Sequence, residues 1–237
     1  MKKFLNFIVS FIFPLSCVGC NRKDVIVCKN CLRTIPLLLS QECPRCRKVM
    51  RGGEFCPECV SAPDKFMVDT LVVCSRYDKN GLLKKLIERF KYKFSKELSV
   101  SLGEILLSGA REFLNVPADS VVIPVPLHRK RFKYRGFNQA GEIAKALDGT
   151  WKISTTALKR VIYTPPQAHL NKEGRIKNLK DAFRVSSGME AKLAGRTVIL
   201  VDDVCTTGST LNECAKVLRE TGVVRIVALV LARGDRH

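Results

Sequence analysis

The chain's 237 residues are 46% hydrophobic and 27% charged, which excludes a largely disordered protein and leaves room for one full domain plus a small module. Its 41 lysines and arginines face 22 acidic residues, a formal charge of +19 that suits polyanionic partners such as nucleic acid; a solvated basic face is the plainer alternative. Eight thiolates and two Zn²⁺ ions would lower that charge by only four, so the excess survives metal binding.

In chain order, Lys2 and Lys3 precede an apolar stretch, Phe4 to Leu15, that imitates a signal peptide. It is too short to span a bilayer, Asn6 and Pro14 interrupt it, and no small-x-small cleavage pattern follows. The expectation is a cytoplasmic protein with no membrane span, whose apolar segment packs on the protein itself. Four C-x-x-C pairs come next: Cys17 and Cys20, Cys28 and Cys31, Cys43 and Cys46, Cys56 and Cys59. A disulfide framework would need export, whereas such knuckles recur in structural zinc sites. Two consecutive zinc ribbons fit best, Cys17, Cys20, Cys28 and Cys31 holding one ion and Cys43, Cys46, Cys56 and Cys59 the other; interleaved pairing is the alternative. Either way the sites are closed, and metal supplies much of the folding energy of so small a module. A staple, a nucleic-acid-reading finger, a docking surface for a partner and a site that has lost its metal are the possible outcomes.

A loop at residues 61–65, containing Pro63, divides a module at 1–62 from a domain at 63–237. Thr70 to Tyr77 reads as a strand and Asn80 to Phe94 as an amphipathic helix, with Leu82, Leu83, Leu86, Ile87 and Phe90 toward the core. Lys84, Lys85, Arg89, Lys91 and Lys93 fall mainly elsewhere, as a solvated face or a phosphate track, the latter favoured if Tyr92 and Phe94 lie exposed beside it. Further strands are expected at Ser120 to Val125, Trp151 to Ser154, Thr197 to Val201 and Val224 to Leu231, with helices at Asn138 to Leu147 and Ser209 to Thr221. Continuous apolar strands alternating with helices predict an α/β fold with a doubly wound, mainly parallel sheet, whose ligands bind beyond the carboxyl ends of the strands.

Val198 to Thr210, VILVDDVCTTGST, concentrates the chemistry. A strand ends at Asp202 and Asp203, whose adjacent carboxylates need two donors at fixed separation, such as vicinal sugar hydroxyls, or a nearby Mg²⁺. Thr206, Thr207, Ser209 and Thr210 offer hydroxyls, Gly208 permits close approach, and the amides at the start of the next helix suit a dianionic phosphate. The string resembles the signature of the type I phosphoribosyltransferases. That resemblance implies that Asp202 and Asp203 are the catalytic pair and hold the ribose hydroxyls, and that Thr206, Thr207, Gly208, Ser209 and Thr210 hold the 5′-phosphate. Cys205 is expected to pack rather than react.

Upstream, Pro124-Val125-Pro126-Leu127-His128-Arg129 follows a strand and leads into Lys130, Arg131, Lys133 and Arg135. Positive charge and free amides there would stabilise a leaving diphosphate. The resemblance makes Val125, Pro126, Leu127, His128 and Arg129 the diphosphate loop, which in type I enzymes carries a cis peptide. Then come Arg135-Gly136-Phe137-Asn138-Gln139, Leu158-Lys159-Arg160, Thr164 with Gln167 and Leu170, Arg175 with Asn178, and Ala182-Phe183. This order, behind a double zinc ribbon, resembles the ComF family, in its ComFC branch, over nearly the whole chain. The resemblance places a mobile loop at Thr164 to Leu179, with Gln167, Arg175 and Asn178 meeting ligand; an ordinary surface loop is the alternative. Two functions follow: a binding protein for phosphoribosyl diphosphate that holds single-stranded DNA during natural transformation beside a helicase-like partner, or a phosphoribosyltransferase of nucleotide salvage with an unidentified acceptor and Mg²⁺ on the diphosphate.

Overall fold

The computed structural model describes residues 15–62, 66–92, 95–164 and 179–234. In chain order its elements are α1 (Lys29–Arg33), β1 (Gln41–Glu42), β2 (Val49–Met50), α2 (Pro57–Val60), β3 (Thr70–Arg76), α3 (Leu82–Tyr92) and α4 (Leu98–Phe113), then β4 (Val121–Pro124), α5 (Arg129–Arg135), α6 (Gln139–Ala144), a 3₁₀ turn at Lys145–Leu147 and β5 (Lys152–Ile153). After these come β6 (Leu158–Arg160), β7 (Phe183–Val185), α7 (Glu190–Leu193), β8 (Thr197–Cys205), α8 (Ser209–Arg219) and β9 (Arg225–Arg233). Five strands form one sheet in the order β3-β9-β8-β4-β5, every neighbour parallel. This is the expected doubly wound α/β sheet.

Side chains alternate across a strand, so β8 sends Val198 and Leu200 to one face and Ile199 and Val201 to the other, and all four are fully buried. The second face is covered by α3, α4 and α6 through Leu86, Phe90, Leu102, Leu106 and Ile143. The first is covered by α8 and by the antiparallel pair β6 and β7 through Leu211, Leu218 and Phe183. Each such side chain removed from water contributes roughly 1.5–3 kcal/mol, which is why the hydrophobic pattern fixes the layers.

Three elements depart from the expectations. β8 continues to Cys205, because Val204 and Cys205 still pair with Ala232 and Arg233 of β9; Asp202 and Asp203 therefore sit on a strand and not after one. α4 was hidden by its serines and glycines, which lower helix propensity; Gly109 lies so close to Cys74 of β3 that a Cβ would come within 2.4 Å of its sulfur. α5 occupies what reads as loop, since RKRFKYR has no apolar period; His128 caps it through Nδ1, which accepts from the Lys130 N–H at 3.2 Å, and Gly136 ends it. The peptide bonds of the described residues are all trans, so the cis peptide implied for the diphosphate loop is not found there.

The cysteine-rich segment closes one edge of the sheet. Gln41, fully buried, accepts from the Val73 N–H at 2.8 Å and donates to the Val73 carbonyl at 3.1 Å, serving β3 as a neighbouring strand would. The Leu38 and Leu71 N–H groups bond to Cys74 and Gly53 carbonyls at 3.0 Å, adding main-chain bridges on either side. Of the apolar N-terminal segment only Leu15 falls among the described residues, and among them no helix is long and apolar enough to cross a membrane.

Candidate ligand-binding site

β8 is flanked by β9 and β4, so its carboxyl end opens between supported neighbours. There Asp203 is buried and paired with Lys91 of α3, Nζ to Oδ1 at 2.7 Å, while its N–H donates to Asp202 Oδ1 at 2.8 Å. The chain then turns at Gly208, whose φ of 79° favours glycine and against which the Phe66 ring packs, 2.7 Å from where a Cβ would stand. Thr207 Oγ1 and Ser209 Oγ lie 2.9 Å apart beside the first amides of α8, whose early N–H groups have no partner within the helix. Asp202 and residues 204–211 shape a shallow cup around that helix start, suited to a phosphate.

The cup adjoins a cleft of about 250 Å³. One wall is Asp202, Asp203, Thr206 and Thr210; the other is Val125, Pro126 and Leu127 with Arg131 and Arg135 of α5, Asn138 before α6 and Gln139 at its start, and Arg160 of β6. Asn138 Nδ2 donates to the Val125 carbonyl at 3.0 Å and the Val125 N–H to the Val201 carbonyl at 2.9 Å, so the loop after β4 is held from both sides. Tyr77 and Lys91 close the end.

Four cations, Lys91, Arg131, Arg135 and Arg160, thus face two carboxylates. Burial first, and then the Arg131 charge, push the Arg160 guanidinium down to about 10, the signature of a crowded cation that an anion would relieve. Burial first, and then the Asp203 charge, raise Asp202 to about 7, only partly offset by Lys91. Burial works against the Lys91 charge, but Asp203 and then Asp202 outweigh it and hold Lys91 above the usual range. Gln139 Nε2 and Arg160 Nε are buried donors with no hydrogen-bond partner among the described residues, which leaves them for a bound acceptor. The arrangement can hold a sugar phosphate at one end and a second polyanionic group at the other.

The eight cysteines form two groups, Cys17, Cys20, Cys28 and Cys31, and Cys43, Cys46, Cys56 and Cys59, the sulfurs of each within 4.8 Å of one another. The grouping is consecutive, not interleaved. Sulfur to sulfur distances of 3.7 Å for Cys20 and Cys28 and 3.5 Å for Cys46 and Cys56 are far beyond a disulfide and near the edge of a tetrahedron built on Zn–S bonds of about 2.3 Å. At Cys17 and Cys43 burial favours the neutral thiol, but knuckle N–H groups, led by Cys28 for one and Cys46 for the other, bring both down to about 6. Both groups could hold zinc.

The phosphoribosyl transferase domain family matches residues 132–237. A Haemophilus influenzae protein named Competence protein F is 32% identical to this chain, over 93% of it and 98% of its own length. The chain belongs to the ComF family. DNA utilization protein YhgH of Salmonella typhi shares 31% identity over 87% of this chain and 90% of its own, and Competence protein ComFC of Bacillus subtilis shares 27% over 85% and 81%.

In this ComF chain the structure brings together Asp202, Asp203, Thr206, Thr207, Gly208, Ser209 and Thr210 around the cup and cleft. Of the expected diphosphate loop, Val125, Pro126 and Leu127 line the cleft, whereas His128 and Arg129 do not. His128 instead caps α5 and packs at a tilt against Tyr163, with ring centroids 5.3 Å apart; burial, and then the Arg160 and Lys130 charges, hold it below the usual histidine range. Gln167, Arg175 and Asn178 lie outside the described residues. The residue pattern missed Lys91 and Tyr77 as cleft residues, whereas Arg131 and Arg135 lie in the basic run expected beside a diphosphate. Lys91 and Tyr77 precede the matched domain, and no local pattern separates Lys91 from its solvated neighbours; for Arg131 and Arg135 the signal was their i,i+4 spacing in a segment capped by His128 and Gly136.

Proposed function

We propose that this chain binds phosphoribosyl diphosphate, or a closely related ribose phosphate, and handles single-stranded DNA in DNA uptake. The observation that carries the first part is the cleft: two carboxylates at the end of β8, a phosphate-sized helix start beside them, three arginines opposite, and Lys91 at the closed end, paired with Asp203. Asp202 and Asp203 accept from the two ribose hydroxyls, the Thr206 to Thr210 loop takes the 5′-phosphate at the positive end of α8, and Arg131, Arg135 and Arg160 take the diphosphate. Lys91 is released from Asp203 or shared with the ligand. A Mg²⁺ ion would arrive with the diphosphate and neutralise part of its charge beside the same carboxylates.

The second part draws on the names of the relatives, which include competence and DNA utilization, and on the +19 charge. A helicase-like partner in the cytoplasm, which the ComF resemblance implies, would deliver or receive the strand.

Transfer chemistry is the second reading, favoured by the cations and the unused donors of Gln139 and Arg160 at the diphosphate end. In it the bond between the anomeric carbon and diphosphate breaks, the diphosphate leaves with both electrons, and an acceptor nucleophile bonds to that carbon. Of the described residues lining the cleft only Tyr77 is aromatic, so no platform for a purine or pyrimidine acceptor stands out.

Calorimetric titration with phosphoribosyl diphosphate and Mg²⁺ tests the site. Asp202→Asn with Asp203→Asn is expected to abolish binding while the protein stays folded; retained affinity would overturn the assignment. Diphosphate release with a panel of bases separates the two readings, turnover above hydrolysis being required for transfer.

A further inference from the structure

α5 has two chemically different sides. Arg131 and Arg135, four residues apart, face the cleft, where Arg131 also donates to the Thr164 carbonyl at 3.0 Å and Arg135 to Gln139 Oε1 at 3.0 Å. The outward side carries Arg129, Lys130 and Lys133, all exposed, and at about 3.6 residues per turn Phe132, 49% exposed, and Tyr134, 66% exposed, stand at its two opposite margins. No acidic residue occurs anywhere in the helix. At the cleft-side margin of this surface, on α3, Tyr92 is 57% exposed and lies under the Arg135 guanidinium, 5.4 Å from its ring centroid. At the other end Lys130 sits 5.0 Å over the Tyr163 ring, itself 40% exposed.

Large aromatic side chains left in water cost free energy that a fold normally avoids, although scattered single ones are ordinary. Here they recur within one basic helix and at both of its flanks. Cations spaced between flat hydrophobic rings match a polymer that alternates phosphates with bases, because the charges neutralise the backbone and every base has a face to stack. Duplex DNA hides those faces and an acidic peptide lacks them, so the chemistry selects a single strand.

We infer that the outer face of α5, with Tyr92, is the platform on which this protein holds single-stranded DNA, Phe132 and Tyr134 stacking on bases while Arg129, Lys130 and Lys133 contact the intervening phosphates. This rests on the proposal that the protein handles single-stranded DNA, and adds where the strand lies. One helix then serves two ligands, the inner face presenting its cations to the cleft and the outer face to the strand.

The test uses the full-length protein and a fluorescent oligothymidylate of about 15 nucleotides, read by anisotropy, with ribose 5-phosphate binding measured in parallel. Phe132→Ala with Tyr134→Ala is expected to weaken strand binding at least about tenfold, since each stacked base is lost independently, and to leave ribose 5-phosphate affinity unchanged. Lys133→Glu is expected to weaken strand binding and flatten its dependence on salt. Strand affinity of the double aromatic variant within twofold of wild type would overturn the platform, as would equal loss of both ligands. Sensitivity to Lys133→Glu without sensitivity to the aromatic change would also overturn it and point to an acidic protein partner. Failure of the wild-type protein to bind the strand at all would instead overturn the broader proposal, and is seen before any variant is made.

Discussion

Asp202 illustrates how a single carboxyl is held at a cost to the fold. Burial and the neighbouring Asp203 charge raise it to about 7, against roughly 4 in an unfolded chain. Between those values the native state binds the extra proton, so this group's contribution to stability is complete below about pH 4, is lost as pH rises toward 7, and is constant above that. Asp202→Asn is therefore expected to melt higher than wild type at pH 8 and to lose that advantage by pH 4; parallel melting curves across this range would contradict it. Lys91 supplies the counter-charge to Asp203, and its loss leaves a buried carboxylate alone. Because the lysine side chain is itself partly in water, at 21% exposure, Lys91→Met is expected to cost about 2 kcal/mol in urea unfolding, and adding Asp203→Asn to recover most of it. The two aspartates were legible in the sequence, since a strand running into two acids and then T-T-G-S-T is a rare combination of residues. Their partner was not: helical periodicity says that Lys91 avoids the apolar face, and only the sheet's topology brings that side to the carboxyl end of β8.

At the scale of elements, legibility followed burial. β3, β8 and β9 each contain a continuous apolar run, and α3 and α8 are amphipathic, so run length and spacing mark them. α5 is written without any apolar period and is fixed by its caps, while α4 trades helix propensity for close approach to β3 at Gly109. The edge of the sheet was the least legible. Nothing around Gln41 announces that its amide will stand in for a strand, because the requirement comes from unsatisfied groups on β3. Gln41→Leu strips the Val73 N–H and carbonyl of their partners in a buried setting, and is expected to cost about 2–4 kcal/mol in chemical denaturation. A loss below 0.5 kcal/mol, roughly the size of a neutral surface change, would mean that the edge is not held this way.

Across the whole molecule, contacts join the cysteine-rich segment to the far end of the sheet. The second cysteine group reaches the end of β8: Arg47 donates to the Gly234 carbonyl, the Gly234 N–H bonds to the Cys205 carbonyl at 2.9 Å, and Arg233 donates to the carbonyls of Cys43 and Pro44. Residues beside the thiols thus brace the segment behind Thr206, so stripping zinc with a strong chelator is expected to lower the melting temperature and to weaken ribose phosphate binding together. Unchanged melting after chelation would mean that no metal supports the fold. If Asp202 to Thr210 grips a ribose phosphate, the backbone amides of that loop report it in hydrogen exchange. With saturating phosphoribosyl diphosphate and Mg²⁺, the amides of Thr206 to Thr210 are predicted to slow at least about tenfold, as groups at a helix start gain an acceptor. Saturable binding with exchange in that loop unchanged would contradict the assignment.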